Sequence, residues 1–74
     1  MNRKRDKFIE LAEKRVNKAM HAIRLIGNLS NRNFYEYDEA DVKQLTKAIE
    51  SELETMRRRF SDETKKKNKI FTLK

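Results

Sequence analysis

The sequence has 74 residues, of which 42% are charged and 36% hydrophobic, and its formal net charge at pH 7 is +7. A chain of this length builds one small domain at most, and a core of that size leaves little net stability. It has no cysteine or proline and one glycine, which excludes disulfides and thiolate metal sites and favours long helices over a many-turned sheet.

The first predicted helix spans residues 6–26, after a frayed basic lead-in over residues 1–5. Its apolar residues recur at alternating intervals of three and four, the spacing of one face of an α-helix. Asp6 is predicted to cap its start, and Gly27 to end it as a left-handed residue. The first apolar stripe consists of Ile9, Ala12, Val16, Ala19, Ile23 and Ile26.

A weaker apolar strip, called here the lysine-side strip, lies beside the lysines on the other side of this helix. Its members are Leu11, Ala22 and Leu25. A lone two-helix hairpin has no use for two apolar faces on one helix, so we expect a second copy or another partner on that side.

Residues 28–37 connect the two predicted helices. Their asparagines and serine favour turns, because these side chains bond to nearby backbone groups. The apolar residues Leu29, Phe34, Tyr35 and Tyr37 are unusual in a flexible linker, and we expect a fixed loop that tucks aromatic rings over the helix ends. Connections of this length are often functional.

The second predicted helix spans residues 38–60, with Asp38 as its N-cap and Asp41 completing a capping box. A mobile basic tail with an apolar terminus is predicted over residues 61–74, where Lys65, Lys66, Lys67 and Lys69 would add unspecific electrostatic attraction. The second apolar stripe consists of Val42, Leu45, Ile49, Leu53, Met56 and Phe60.

These elements predict an all-α fold. The helical domain, residues 1–60, is expected to be an antiparallel two-helix hairpin that pairs with a second copy into a four-helix bundle. A homodimer buries both apolar stripes and the lysine-side strip. The alternatives are a monomer and a heteromeric complex. The residues expected to pack the helices and the dimer are Ile9, Val16, Ile23, Ile26, Leu45, Ile49, Leu53, Met56 and Phe60.

The charge is uneven along the chain and points to anionic partners. Residues 1–27 hold eight basic and three acidic residues, a net of +5. Such a field attracts DNA, RNA, an acidic protein or nucleoprotein surface, or anionic lipid. The alternative interpretation is a solvated basic face. The residues predicted to contact phosphates are Lys7, Lys14, Arg15, Lys18, Arg24 and Arg32.

Side chains of the connection extend this hypothesis from phosphates to bases. Asn31 and Asn33 have the amide groups that read base edges, and Tyr35 or Tyr37 has a ring on which a base can stack. The alternative interpretation of the asparagines is a turn that they build for themselves.

The sequence contains no catalytic constellation. His21 is the only histidine and lies off the apolar stripe, and the paired carboxylates Glu50 and Glu54 are flanked by Lys47 and Arg58 as in an ion-pair face. We expect a protein that is not an enzyme, with no metal, cofactor or small-molecule substrate. No apolar run suits a signal peptide or a membrane span, so the expected location is the cytoplasm.

One part of the chain resembles short uncharacterised helical proteins of bacteria and their mobile elements. The resemblance covers about residues 7–60 and rests on KRVNKA at residues 14–19, IRLIGNLSNR at residues 23–32, Tyr35 and Tyr37. It implies a phage, plasmid or bacterial cytoplasmic setting, but no activity and no binding residues.

Small proteins of that setting are often regulators or inhibitors of nucleases. The expected function is therefore a non-catalytic regulator that docks on nucleic acid or a nucleoprotein. The alternatives are an anti-CRISPR-like inhibitor of a nuclease complex and a purely structural oligomerisation module. Many inhibitors that mimic DNA are acidic, whereas this chain is basic.

Overall fold

The chain is helical throughout most of the part that its computed structural model describes, residues 2–68. Helix α1 spans Arg3–Gly27 and helix α2 spans Glu39–Asn68; a short 3-10 helix, Asn28–Ser30, follows α1 directly. Residues 2–68 contain no β-strand. The predicted all-α class with two main helices is therefore confirmed.

The helices belong to two separate units, Met1–Glu36 and Tyr37–Lys74. Side chains are described for residues 2–64. No helix in the described part of the chain combines the length and apolarity that crossing a membrane requires.

Helix α1 starts earlier than predicted, and Asn2 rather than Asp6 caps it. The Asn2 side-chain oxygen accepts the Arg5 N–H at 3.1 Å, and its backbone oxygen accepts the Asp6 N–H at 3.0 Å. Asparagine caps as well as aspartate, and the following arginines and lysine are good helix formers. Asp6 lies instead in the first turn, where its charge suits the positive end of the helix dipole.

The prediction of a left-handed Gly27 is wrong. Gly27 has φ −60° and ψ −28°, the right-handed helical conformation, and no described residue has a positive φ. The chain passes from α1 into a 3-10 turn of the same hand, in which the Asn28 N–H points back to the Arg24 and Leu25 carbonyl oxygens. The helix thus tightens before it ends, and no reversal of hand is needed.

Helix α2 begins as predicted, with Asp38 and Asp41 forming a reciprocal capping box. It ends later than predicted, since residues 61–68 continue the helix beyond Phe60. Thr64 contributes a hydrogen bond from its hydroxyl to the Phe60 carbonyl oxygen at 3.0 Å. The apolar spacing that guided the prediction stops at Phe60, but glutamate and lysine continue a helix without packing.

Part of the predicted tail lies outside what can be described. Lys65, Lys66 and Lys67 fall within α2, but their side chains lie outside the described ones, and Lys69 lies outside the described residues altogether. The apolar terminus over residues 70–73 is likewise outside the described part of the chain.

No residue in the described part of the single chain is buried. In α1, the stripe residues Val16 and Ile23 are 55% and 48% exposed, while Ala12 and Ile26 are half-buried. In α2, all large stripe residues except the half-buried Ile49 are 38–57% exposed. The helices therefore form with the predicted apolar faces, and what covers those faces stays a prediction.

Candidate nucleic-acid interface

The surface of α1 divides into three longitudinal sectors. Since each helical residue advances by about 100°, the first apolar stripe occupies one side and the lysines of the basic face lie roughly 130–170° from its centre. The acidic residues fall between these sectors on one side only. They are Asp6, Glu10 and Glu13, whereas the basic face consists of Lys7, Lys14 and Lys18. Arg15 flanks this face on its other side, about 60° around the helix from Lys18 and towards the first apolar stripe.

Lys7 is the one cation of this basic face that forms an ion pair with a described side chain. Lys7 Nζ lies 3.9 Å from Glu10 Oε1, and both side chains are about two-thirds exposed, at 66% and 68%. Such a pair contributes little to stability and is screened by salt. Among the described side chains, Lys14, Arg15 and Lys18 have no ion-pair partner, and all three are exposed. They form a positive cluster within little more than one helical turn.

Arg24 does not belong to this cluster. Six residues separate it from Lys18, which turns the two side chains about 120° apart around the helix. Arg24 lies instead in the sector of Asp6 and Glu13, close to the C-terminal end of α1, where a cation suits the helix dipole. The structure therefore separates Arg24 from the predicted set of phosphate contacts on α1.

Asn31 organises the loop that follows the 3-10 helix. Its side-chain Oδ1 accepts the Asn33 N–H at 3.0 Å. Its backbone oxygen accepts the N–H groups of Phe34 and Tyr35 at 3.1 Å and 3.0 Å. One residue thus holds three consecutive backbone N–H groups. The side-chain oxygen of Asn31 is used in the turn, so the turn rather than base reading explains this asparagine.

The loop presents aromatic rings to solvent rather than tucking them away. Phe34 is 77% exposed and Tyr35 49%, and their ring centroids lie 6.5 Å apart with planes inclined by 59°. Tyr37, in the second unit, is half-buried. The prediction that the loop aromatics cover the helix ends is therefore wrong for Phe34 and Tyr35, because hydrogen bonds to Asn31 fix the backbone with both rings exposed to solvent.

Helix α2 has a second cluster of cations, Arg57, Arg58 and Arg59, and ion pairs neutralise part of its charge. Glu54 pairs with Arg57 at 3.2 Å and with Arg58 at 3.9 Å, as its flanking position predicts. Arg59 forms no ion pair with the described side chains. This cluster lies in a different unit from the basic face of α1.

Sequence reasoning missed three exposed apolar residues. Phe8 and Met20 border the first apolar stripe and are 49% and 44% exposed, and the Arg5 guanidinium lies 5.8 Å from the centre of the Phe8 ring. Phe34, expected to tuck over a helix end, is exposed instead. A signal was present for the first two, since both fit helical spacing beside the stripe; none was present for Phe34, whose exposure depends on the loop's hydrogen bonds.

The remaining titratable groups of the described residues do not gather into a chemical site. His21 is exposed on α1, and its side chain forms no hydrogen bond within the described part of the chain. Among the described residues, no group of three or more histidine or acidic side chains is placed to hold a metal ion.

Comparison with known proteins gives no relative. The chain matches no protein-family model, no curated protein and no solved structure.

Proposed function

We propose that this chain is a non-catalytic binding protein that docks on nucleic acid through the basic face of α1. The observation that carries the proposal is the positive cluster of Lys14, Arg15 and Lys18, which is exposed and has no ion-pair partner among the described side chains. Residues 14–18 contain these three cations and no acidic residue, so the local charge of the cluster is positive.

Long, solvated cations of this kind bind phosphates chiefly by releasing condensed counterions. Each phosphate contact contributes a slope of about −0.9 in log K against log salt for duplex DNA, and about −0.7 for a single strand. Three contacts, one each from Lys14, Arg15 and Lys18, therefore give a slope of roughly −2 to −3. Arg32, in the loop, adds positive charge to the same unit.

We propose that the apolar stripes are covered by self-association, as an antiparallel hairpin that pairs into a four-helix bundle. In proteins, a helix gains most of its stability by packing its apolar face against another element. Exposed stripe residues such as Val16 on α1 and Leu53 on α2, at 55% and 50%, have that packing to gain. Packing through the α1 stripe leaves Lys14 and Lys18 accessible, because they lie on the other side of the helix. A second copy placed on the strip of Leu11, Ala22 and Leu25 would instead compete with nucleic acid, because that strip lies on the same side as the lysines.

The test is binding of fluorescent oligonucleotides at low salt, followed by titration with salt. Reversing the cluster with Lys14→Glu and Lys18→Glu should abolish binding. The matched control is Lys43→Glu with Lys47→Glu, because these exposed lysines have the same spacing on α2 and the net charge changes equally. The control should retain most of the affinity.

Two results would contradict docking through α1. An equal loss in both double variants would show that only net charge matters, and no binding to any oligonucleotide at low salt would exclude nucleic acid. In the second case, capture of a defined acidic protein or nuclease would support the inhibitor alternative.

A purely structural oligomerisation module is the second candidate. The observation that favours it is the exposure of large stripe residues on both helices, such as Val16 and Ile23 on α1 and Leu53 and Phe60 on α2. Light scattering separates the candidates: the structural module forms a dimer whose mass is unchanged by oligonucleotide, whereas the docking protein forms a heavier complex.

A further inference from the structure

The most exposed large apolar side chain among the described residues is a loop phenylalanine. Phe34 is 77% exposed, and Tyr35 beside it is 49% exposed. Neither ring lies on an α-helix, so neither belongs to the apolar stripes that helix pairing would cover. The two adjacent rings lie 6.5 Å apart, so together they offer an aromatic surface that is open to a partner.

The loop holds these rings in place before any partner arrives. The Phe34 and Tyr35 N–H groups both donate to the Asn31 carbonyl oxygen, and the Asn31 side chain holds the intervening Asn33 N–H. Because the backbone under the rings is already ordered, a flat ligand binds either ring at a small cost in conformational entropy. The ring planes are inclined by 59°, so each ring takes its own base.

We infer that Phe34 and Tyr35 form a stacking platform for unpaired bases, so that the nucleic acid taken by this protein is single-stranded. The inference rests on the proposed docking function. The charge of the unit favours a base over an apolar peptide as the occupant, because residues 1–36 hold nine basic and four acidic residues. Exposed aromatic rings on a positive surface are the combination that binds single strands.

A closed duplex cannot occupy the platform. Its bases are stacked on one another, and a ring can reach a base face only where the base is unpaired or flipped out of the helix. Phosphate contacts on α1 alone would bind a duplex as well as a single strand. A preference for the single strand is therefore evidence for the platform.

The test uses three oligonucleotides of equal length: a single strand, its duplex, and a strand in which the bases are replaced by abasic sites. Phe34→Leu should weaken binding to the single strand about fivefold or more, as expected for one lost base–ring contact. The salt dependence should be unchanged, since a neutral ring contacts no phosphate. On the abasic strand the variant and the parent should bind equally.

Two further variants sharpen the test. Phe8→Leu makes the same chemical change on α1, outside the platform, and should leave single-strand affinity unchanged. Phe34→Trp should give fluorescence that is quenched on adding the single strand and not on adding the abasic strand. Circular dichroism should be the same for all three variants, because the replaced rings are 49% and 77% exposed to solvent.

The failures are distinguishable. If Phe34→Leu binds the single strand as tightly as the parent, or the duplex binds equally well, the platform is wrong while docking through α1 stands. If no oligonucleotide binds at low salt, the docking function and the platform both fail. A loss of dimer mass in Phe34→Leu without loss of base binding would assign the ring to self-association and overturn the inference.

Discussion

Asp38 and Asp41 cap each other at the start of α2. The Asp41 N–H donates to Asp38 Oδ1 at 2.8 Å, and the Asp38 N–H donates to Asp41 Oδ2 at 3.0 Å. The Asp38 carbonyl oxygen also accepts the Val42 N–H at 3.2 Å. Two backbone donors that have no partner within the helix are thus satisfied, and both carboxylates lie at the positive end of the helix dipole.

We expect Asp38→Ala to destabilise the start of α2 by about 1 kcal/mol, the usual cost of losing an N-cap. The measurement is helix content by circular dichroism, together with hydrogen exchange of the Asp41 amide. Asp38→Ser is the control, because a serine hydroxyl accepts the same N–H and should retain most of the stability. Equal losses in the alanine and serine variants would contradict the capping role.

Replacing Gly27 by alanine should stabilise α1. Gly27 has right-handed helical dihedrals, and a Cβ added there would have no atom within 4 Å. Alanine in a helix is favoured over glycine by about 0.5–1 kcal/mol, because glycine loses more backbone freedom on folding. The thermal midpoint of the helical signal should therefore rise in Gly27→Ala.

A chemically synthesised chain supplies the control for Gly27. D-Alanine at this position favours the left-handed conformation and should destabilise α1 relative to glycine. If D-alanine stabilised the helix and L-alanine did not, the helix would end in the left-handed glycine that its sequence predicts.

The helices could be predicted from sequence because their signals are local. The three-and-four spacing located both apolar stripes, and the Asp38–Asp41 pair located the start of α2. The ends were less predictable. Asn2 competes with Asp6 as a cap on nearly equal terms, and Ser61–Asn68 has helix-forming residues but no apolar spacing.

The site was only partly predictable for a similar reason. Helical spacing sufficed to group Lys14 with Lys18, but it also places Arg24 in the acidic sector, which a count of charges along the chain does not reveal. The exposure of Phe34 depends on hydrogen bonds to Asn31, and no periodic pattern encodes them. What covers the apolar stripes is a property of an assembly, which one chain's sequence does not specify.

A charge placed in the second apolar stripe should prevent self-association. Ile49 is the half-buried residue of that stripe, and Ile49→Asp would bury an unpaired carboxylate in any helix-to-helix contact, at a cost of at least about 2 kcal/mol. We expect the mass measured by light scattering to fall from dimer to monomer and the helix content to fall with it.

Ser51→Asp is the matched control for Ile49. It adds the same charge two residues away, on a side of α2 about 160° from Ile49. Self-association should persist in this variant. A dimer that survives Ile49→Asp, or that is lost equally in both variants, would exclude packing through the second apolar stripe.

The last prediction is that the side chain of Asn31 orders the loop, whereas the side chain of Asn33 does not. Asn31→Ala removes the bond from Asn33 N–H to the Asn31 side chain, worth about 1 kcal/mol, but keeps the two bonds to the Asn31 carbonyl oxygen. Hydrogen exchange of the Asn33 amide should accelerate about fivefold, and single-strand affinity should fall about twofold or more as the platform loses its order. Asn33→Ala keeps the backbone donor, so its amide exchange should stay slow. If Asn33→Ala instead causes the larger loss of affinity, the Asn33 side chain reads a base directly, and Asn31 is not what prepares the loop for binding.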